Sequence, residues 1–187
     1  MPNKFQNKYR IPSARLQNWD YGQNAAYFIT ICTYKMNCYF GNIVNGIMQL
    51  SEIGKIVETE WLKTPDIRPD MNLCLGEFVV MPNHFHTIIT IGENEFNCCR
   101  DTMHRVSTKT TIDEPANSFA PQSKNLASII RGFKSAVTMN AHKINPSFEW
   151  QSRFYNHIIR NTESFQRIEK YIIENPKKWG DDKFYMP

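Results

Sequence analysis

The order of strand and helix signals along this chain predicts an α+β fold: a two-layer sandwich with helices packed on one face of a mainly antiparallel sheet. Three observations carry that prediction. β-branched and aromatic runs recur at 27–34, 72–82 and 84–92, the last two joined near Pro82-Asn83. Segments 51–65, 125–144 and 161–176 carry apolar residues at helical spacing instead. At 187 residues the chain holds one domain with a substantial core and is short for two.

Residues 1–24 are polar, basic and aromatic without clear periodicity, and read as an arm laid over the surface. "YFITICTY" (27–34) is a strong strand. "GNIVNGIMQLS" (41–51) carries Asn45-Gly46 between apolar residues, a hairpin signal. In "SEIGKIVETEWLKTP" (51–65) Ile53, Ile56, Val57 and Trp61 are helically spaced, Ser51 is a suitable cap and Pro65 a stop. "NLCLGEFVVMP" (72–82) and "HFHTIITIG" (84–92) give two more strands. Residues 93–123 turn polar and lose periodicity, as a long loop or partly disordered insertion would. "NLASIIRGFKSAVTMNAHKI" (125–144) returns to helical spacing, and "SFEWQSRFYNHIIR" (147–160) reads as extended. "NTESFQRIEKYIIENP" (161–176) is a helix that Asn161 or Thr162 caps and Pro176 ends. The resulting order, β–β–α–β–β–loop–α–β–α, makes a ferredoxin-like topology the natural candidate.

Composition narrows the partners only slightly. A net charge of +4 is compatible with a polyanion and equally with an ordinary soluble protein. The five cysteines form no C-x-x-C pair and are odd in number, which suits a reducing cytoplasm and mostly buried, inert thiols. Cys98, Cys99 and His104 have no zinc spacing. No apolar run approaches membrane-spanning length, and the polar, basic start does not read as a signal peptide.

The chemistry concentrates in "VVMPNHFHTIITI" (79–91). In a strand, residues two apart share a face, so His84 and His86 project side by side while Phe85 points away. Two neutral imidazoles make part of a metal site, and further donors must come from elsewhere in the fold. Taken alone, such a pair fits a solvated sheet face at least as well. A histidine-triad nucleotide hydrolase would want a third histidine where Ile88 stands.

The last helix adds what the pair lacks. Tyr171 and Asn175 lie four residues apart on one helix face, beside the apolar stripe of Phe165, Ile168 and Ile172. A phenol can serve as nucleophile and an amide oxygen as metal ligand. A tyrosine beside a His-His-Asn metal site is a phosphoryl-transfer constellation. A tyrosine packed in an amphipathic helix is the plain alternative.

"EFVVMPNHFHTIIT" resembles the His-hydrophobe-His strand of the HUH single-tyrosine transposases. The chain is similar in particular to the REP-associated tyrosine transposases, domesticated relatives of insertion-sequence transposases. "WDYGQNAAYFITICT", "LASIIRGFKSAVT", "WQSRFYNHIIRN" and "IEKYIIENPKKW" agree in family order and span most of the chain outside 93–123.

That resemblance implies a ferredoxin-like sheet with the histidine pair on a central strand. It implies that His84 and His86 hold Mg²⁺ or Mn²⁺, with Asn175 as the polar ligand where insertion-sequence members often carry Gln. Tyr171 would attack a phosphodiester of single-stranded, hairpin-forming repeat DNA, forming a 5′-phosphotyrosine and freeing a 3′-hydroxyl. Tyr155 is a rival nucleophile, because it shares a strand face with His157. Tyr171 is favoured because its i+4 asparagine reproduces the family arrangement.

Arg10, Arg15, Arg131, Lys134, Arg153 and Arg160 are basic residues in family-like segments and are expected DNA contacts, with Trp19 and Tyr21 helping to read a hairpin. Solvated surface charge is the plain reading of each, and Lys177 and Lys178 suit helix-end charges. Insertion-sequence relatives work as homodimers, so a homodimer is one arrangement to test. A non-catalytic hairpin-binding protein that keeps the fold is the competing function. An RNA-binding module would want an aromatic sheet signature that "FVVMPNHFH" does not provide.

Overall fold

The computed structural model describes residues 4–5, 8–9, 16, 19–98 and 123–185. Most of the expected insertion at 93–123 therefore lies outside the described residues. Its first part, 93–98, is a turn in which the Asn97 side chain accepts from the Asn94 amide and donates to the Gly92 carbonyl. Within the expected arm, strands β1 (Lys4–Phe5) and β2 (Lys8–Tyr9) pair antiparallel.

Four strands form the central sheet: β3 (Ala25–Cys32), β6 (Leu73–Val80), β7 (His84–Ile91) and β8 (Tyr155–Ile159). Their spatial order is β6-β7-β3-β8, and every neighbouring pair is antiparallel. β4 (Gly41–Val44) and β5 (Ile47–Leu50) make a separate hairpin. Its turn places Asn45 at φ 52° and Gly46 at φ 74°, the double left-handed geometry for which Asn-Gly is suited.

Local capping chemistry sets the helix starts. Ser51 caps α1 (Glu52–Leu62), its Oγ accepting from Gly54 N at 3.1 Å. Asn125 and Ser128 form a reciprocal capping box at the start of α3 (Leu126–Ala141). Asn161 Oδ1 accepts from Ser164 N at 2.8 Å and caps α4 (Thr162–Glu174). Pro65 does not stop α1: that helix ends at Leu62, and Pro65 sits in the first turn of the short α2 (Thr64–Ile67). Proline is tolerated there because a first-turn N–H has no intrahelical partner to lose. Pro176 likewise opens a 3₁₀ segment, Asn175–Asp181. Along the main core the order is β3–α1–β6–β7–α3–β8, with α4 following.

The expected packing of helices on one face holds for α1 and α3 only. Ile53, Val57 and Trp61 of α1 and Ile129, Ile130, Phe133 and Val137 of α3 bury against Tyr27, Ile29, Ile31, Phe85, Ile89 and Ile91 of the sheet. Trp61 lies at its centre, with ring centroids 5.3 Å from Phe85 and 5.1 Å from Phe133. α4 covers the opposite face, where Ile172, Phe165 and Ile168 pack on Ile88, Ile159, Phe28 and Val79. The cause is the alternation of side chains along β3 and β7: both registers are apolar enough to need cover. The histidines lie on the α4 face, because His84, His86 and Ile88 share one register. Among the described residues no helix is long and apolar enough to cross a membrane.

Of the described cysteines only Cys32 is buried, while Cys38, Cys74 and Cys98 are exposed. The expectation of mostly buried thiols is thus corrected. Cys74 and Cys98 lie on a sheet edge and a surface turn, where neither side chain is required by the core.

Candidate active site

Antiparallel pairing brings the site together. Thr30 of β3 stands opposite His86 of β7 on one side and opposite Tyr155 of β8 on the other, and Cys32 stands opposite His84. His84 and His86 are buried, with ring centroids 4.4 Å apart.

Each imidazole is held through Nδ1. Asn83 Oδ1 lies 2.8 Å from His84 Nδ1, and Thr30 Oγ1 lies 2.8 Å from His86 Nδ1. An amide oxygen can only accept, so His84 carries its proton on Nδ1 and keeps a bare lone pair on Nε2. Among the described residues that buried Nε2 has no hydrogen-bond partner. Burial, with Lys183 adding to it, pushes the His84 pKa down to about 3. Burial and the neighbouring His84 push His86 well below the usual histidine range, against a smaller opposing pull from Asp182. Both rings are therefore neutral at neutral pH, the form a metal requires.

α4 brings Tyr171 over this pair. Its Oη lies 3.2 Å from His86 Nε2, and its ring meets the edge of Phe28. The phenol pKa is raised, first by burial and then by the Asp182 carboxylate, while the Asn175 amide opposes the shift. One turn later, at the helix end, Asn175 is buried. Its Nδ2 donates to Asp182 Oδ2 at 3.1 Å, which leaves its Oδ1 buried and, among the described residues, unpartnered. Two bare acceptors, one imidazole nitrogen and one amide oxygen, are costly to bury and are the donors a divalent cation would use. His84, His86 and Asp182 each offer a ligand atom, all within 4.8 Å of one another. The residues present thus fit a divalent ion.

Phe184 roofs the histidines, its ring 4.6 Å from that of His84. Its carbonyl accepts from Asn83 Nδ2 at 2.8 Å, so one asparagine both orients His84 and holds the roof.

Tyr155 is 53% exposed and lines the same cleft, of about 590 Å³, with His86, His157, Arg167, Tyr171 and Asn175. It sits two strands from His86, roughly 10 Å at ordinary strand spacing. His157 likewise faces this cleft.

The expected DNA contacts scatter. Arg160 lines a second cleft along β8 with Tyr21, Asn156, His157 and Arg167. Arg131 and Arg153 are exposed elsewhere on the surface. Lys134 Nζ donates to the Gln151 carbonyl at 2.6 Å and lies over the Trp150 ring. Trp19 donates to Tyr27 Oη at 3.2 Å, and the Tyr21 ring stacks on that of Tyr27. Both are anchors for the start of β3, although the Tyr21 hydroxyl reaches the second cleft, accepting from Asn156 Nδ2 at 3.2 Å. Arg10 and Arg15 lie outside the described residues.

Sequence reasoning missed Thr30, Asn83, Arg167 and Asp182. Thr30 and Asn83 carried weak signals, an alternating strand register and adjacency to His84. Asp182 carried none, because only the turn after α4 returns it to the histidines.

No family model matches the chain. A Haemophilus influenzae protein of uncharacterised function is 37% identical over 178 residues, spanning 93% of this chain and 92% of that protein. The solved structure of a REP-associated tyrosine transposase bound to a REP hairpin covers 92% of this chain and 77% of its own, at 20% identity and a TM-score of 0.56. The chain belongs to one family with the Haemophilus influenzae protein and shares the fold of the REP-associated tyrosine transposase.

Proposed function

We propose that this protein is a metal-dependent, single-stranded DNA endonuclease and strand transferase acting at hairpin-forming DNA. The observation that carries this reading is the placement of the Tyr171 hydroxyl 3.2 Å from His86 Nε2, beside buried acceptors that have no partner among the described residues. The transposase of like fold is bound to a REP hairpin, which supports DNA of that kind as the substrate.

In the reaction, Tyr171 Oη loses its proton and bonds to phosphorus. The P–O3′ bond breaks, the departing O3′ takes up a proton, and the 5′-phosphate stays on the tyrosine. Attack by a 3′-hydroxyl reverses these changes and rejoins DNA, so the number of phosphodiester bonds is conserved. His84, His86 and Asn175 would hold Mg²⁺ or Mn²⁺, the amide oxygen being a donor that suits either ion. When bound, the ion would polarise the scissile phosphate and stabilise charge on the leaving oxygen. Burial of the phenol and the nearby Asp182 favour the protonated form of Tyr171.

The two clefts share His157 and Arg167, so together they form a track along the β8 side of the sheet. Arg160 and Arg167 there would contact phosphates, and Tyr155 offers an exposed ring for a base to stack on. A reducing cytoplasmic setting fits the exposed Cys38, Cys74 and Cys98.

The test uses hairpin single strands from repeats flanking the gene, with Mn²⁺ or with EDTA, on a denaturing gel. The expected result is a covalent adduct that needs metal, survives Tyr155→Phe and is lost in Tyr171→Phe. Loss only in Tyr155→Phe would assign the chemistry to the other tyrosine. Tight hairpin binding without any adduct would leave a DNA-binding protein that keeps the fold.

A further inference from the structure

We propose that Asp182 is a fourth ligand of the same metal, supplied by the turn that follows α4. The inference rests on the metal-dependent reading above.

Its geometry is fixed from two sides. Asp182 Oδ2 accepts from Asn175 Nδ2 at 3.1 Å, and Oδ1 accepts from the Phe184 amide at 2.7 Å. Each carboxylate oxygen keeps a further lone pair. One of them lies within 4.8 Å of the ligand nitrogens of both His84 and His86. The bond to Asn175 also sets the amide the right way round: the NH₂ faces the carboxylate, and Oδ1 is left as a buried acceptor with no partner among the described residues. Removing Asp182 would thus take away one donor and release the orientation of another.

Charge supports the assignment. His84, His86 and Asn175 are neutral, and Lys183 stands close enough to influence both imidazoles. A divalent cation among neutral donors beside a lysine would be poorly compensated. Asp182 contributes one negative charge and a phosphodiester the other. Two other acids near the site are less suited. Glu174 is engaged with Lys178 Nζ at 2.7 Å, and Asp181 is exposed and outside the donor cluster.

The experiment is calorimetric titration of the full chain with Mn²⁺ and with Mg²⁺, without DNA. Wild type, Asp182→Asn, Asp182→Glu, Asp181→Asn and His84→Gln are compared, with melting curves as the check on folding. Asp182→Asn is expected to bind Mn²⁺ at least tenfold more weakly, Asp182→Glu to recover part of the loss, and Asp181→Asn to stay within about twofold. Wild-type affinity in Asp182→Asn together with a loss in His84→Gln would overturn the Asp182 assignment and leave the histidine site standing. No Mn²⁺ binding by wild type, or no effect of His84→Gln, would overturn the metal reading and this inference with it.

Discussion

Tyr171 Oη lies 3.2 Å from His86 Nε2, whose ring is held at Nδ1 by Thr30. A single imidazole lone pair cannot accept a phenol proton and ligate a cation together. The tyrosine and the metal therefore compete for His86. Tyr171→Phe should bind Mn²⁺ up to about fivefold more tightly than wild type, the value of one ordinary hydrogen bond near 1 kcal/mol. Calorimetric titration of the two proteins without DNA measures this. Weaker binding in the phenylalanine variant would show that the phenol supports the metal instead.

Asn83 links the site to its roof, orienting His84 at 2.8 Å and holding the Phe184 carbonyl at 2.8 Å. Asn83→Ala leaves a buried imidazole N–H without an acceptor, at a cost of about 1–3 kcal/mol. It should lower the melting temperature and weaken Mn²⁺ by about 10–100-fold, the usual effect of losing the group that orients a ligand. Thermal melts and metal titration of the same preparation separate the two effects.

The buried histidines make a pH signature. The folded pKa of His84, about 3, lies below its ordinary value of 6.5, so between these values the unfolded chain binds more protons. Stability is therefore full above pH 6.5 and falls as the pH drops toward 3. The slope for His84 alone is about 1.4 kcal/mol per pH unit within that window. Melting temperatures of wild type and His84→Gln at pH 7, 5.5 and 4.5 should converge as the pH falls. At pH 7 metal binding should release no proton from either ring, so its heat should not vary with the buffer's ionisation enthalpy.

Arg160 and Arg167 line the track that runs from the histidines along β8. Replacing either with Ala should weaken single-strand binding several-fold at low salt. It should also reduce the slope of log affinity against log salt by about 0.7. Fluorescence anisotropy across a salt series measures both. Arg131→Ala, on the helix that covers the other sheet face, should leave the slope unchanged.

How much of this was legible in the sequence depended on distance along the chain. Ser51, Asn125 and Asn161 announce their helices because a cap bonds an amide three residues on. The side-by-side histidines follow from strand periodicity. The pairing of Tyr171 with Asn175 follows from helix periodicity. What stayed hidden is long-range. α4 shows an apolar stripe but not which sheet face that stripe seeks. Trp19 and Tyr21 read as nucleic-acid contacts because aromatic residues suit both stacking and cores. In the fold Trp19 bonds to Tyr27 and the Tyr21 ring stacks on it, with Tyr21 also lining a cleft. The Lys134 partner, the Gln151 carbonyl, is a tertiary neighbour and was hidden for the same reason.

The helix carrying Tyr171 folds back onto the sheet that carries its own histidines. Nicking should therefore be first order in protein, with a specific activity that does not fall on dilution. Mixing an excess of His84→Gln protein with Tyr171→Phe protein should not restore cleavage, since neither lends its intact half to the other. A severed strand would stay tethered to the molecule that cut it, so resealing should outpace exchange between two DNA molecules unless a second 3′-end reaches the same cleft.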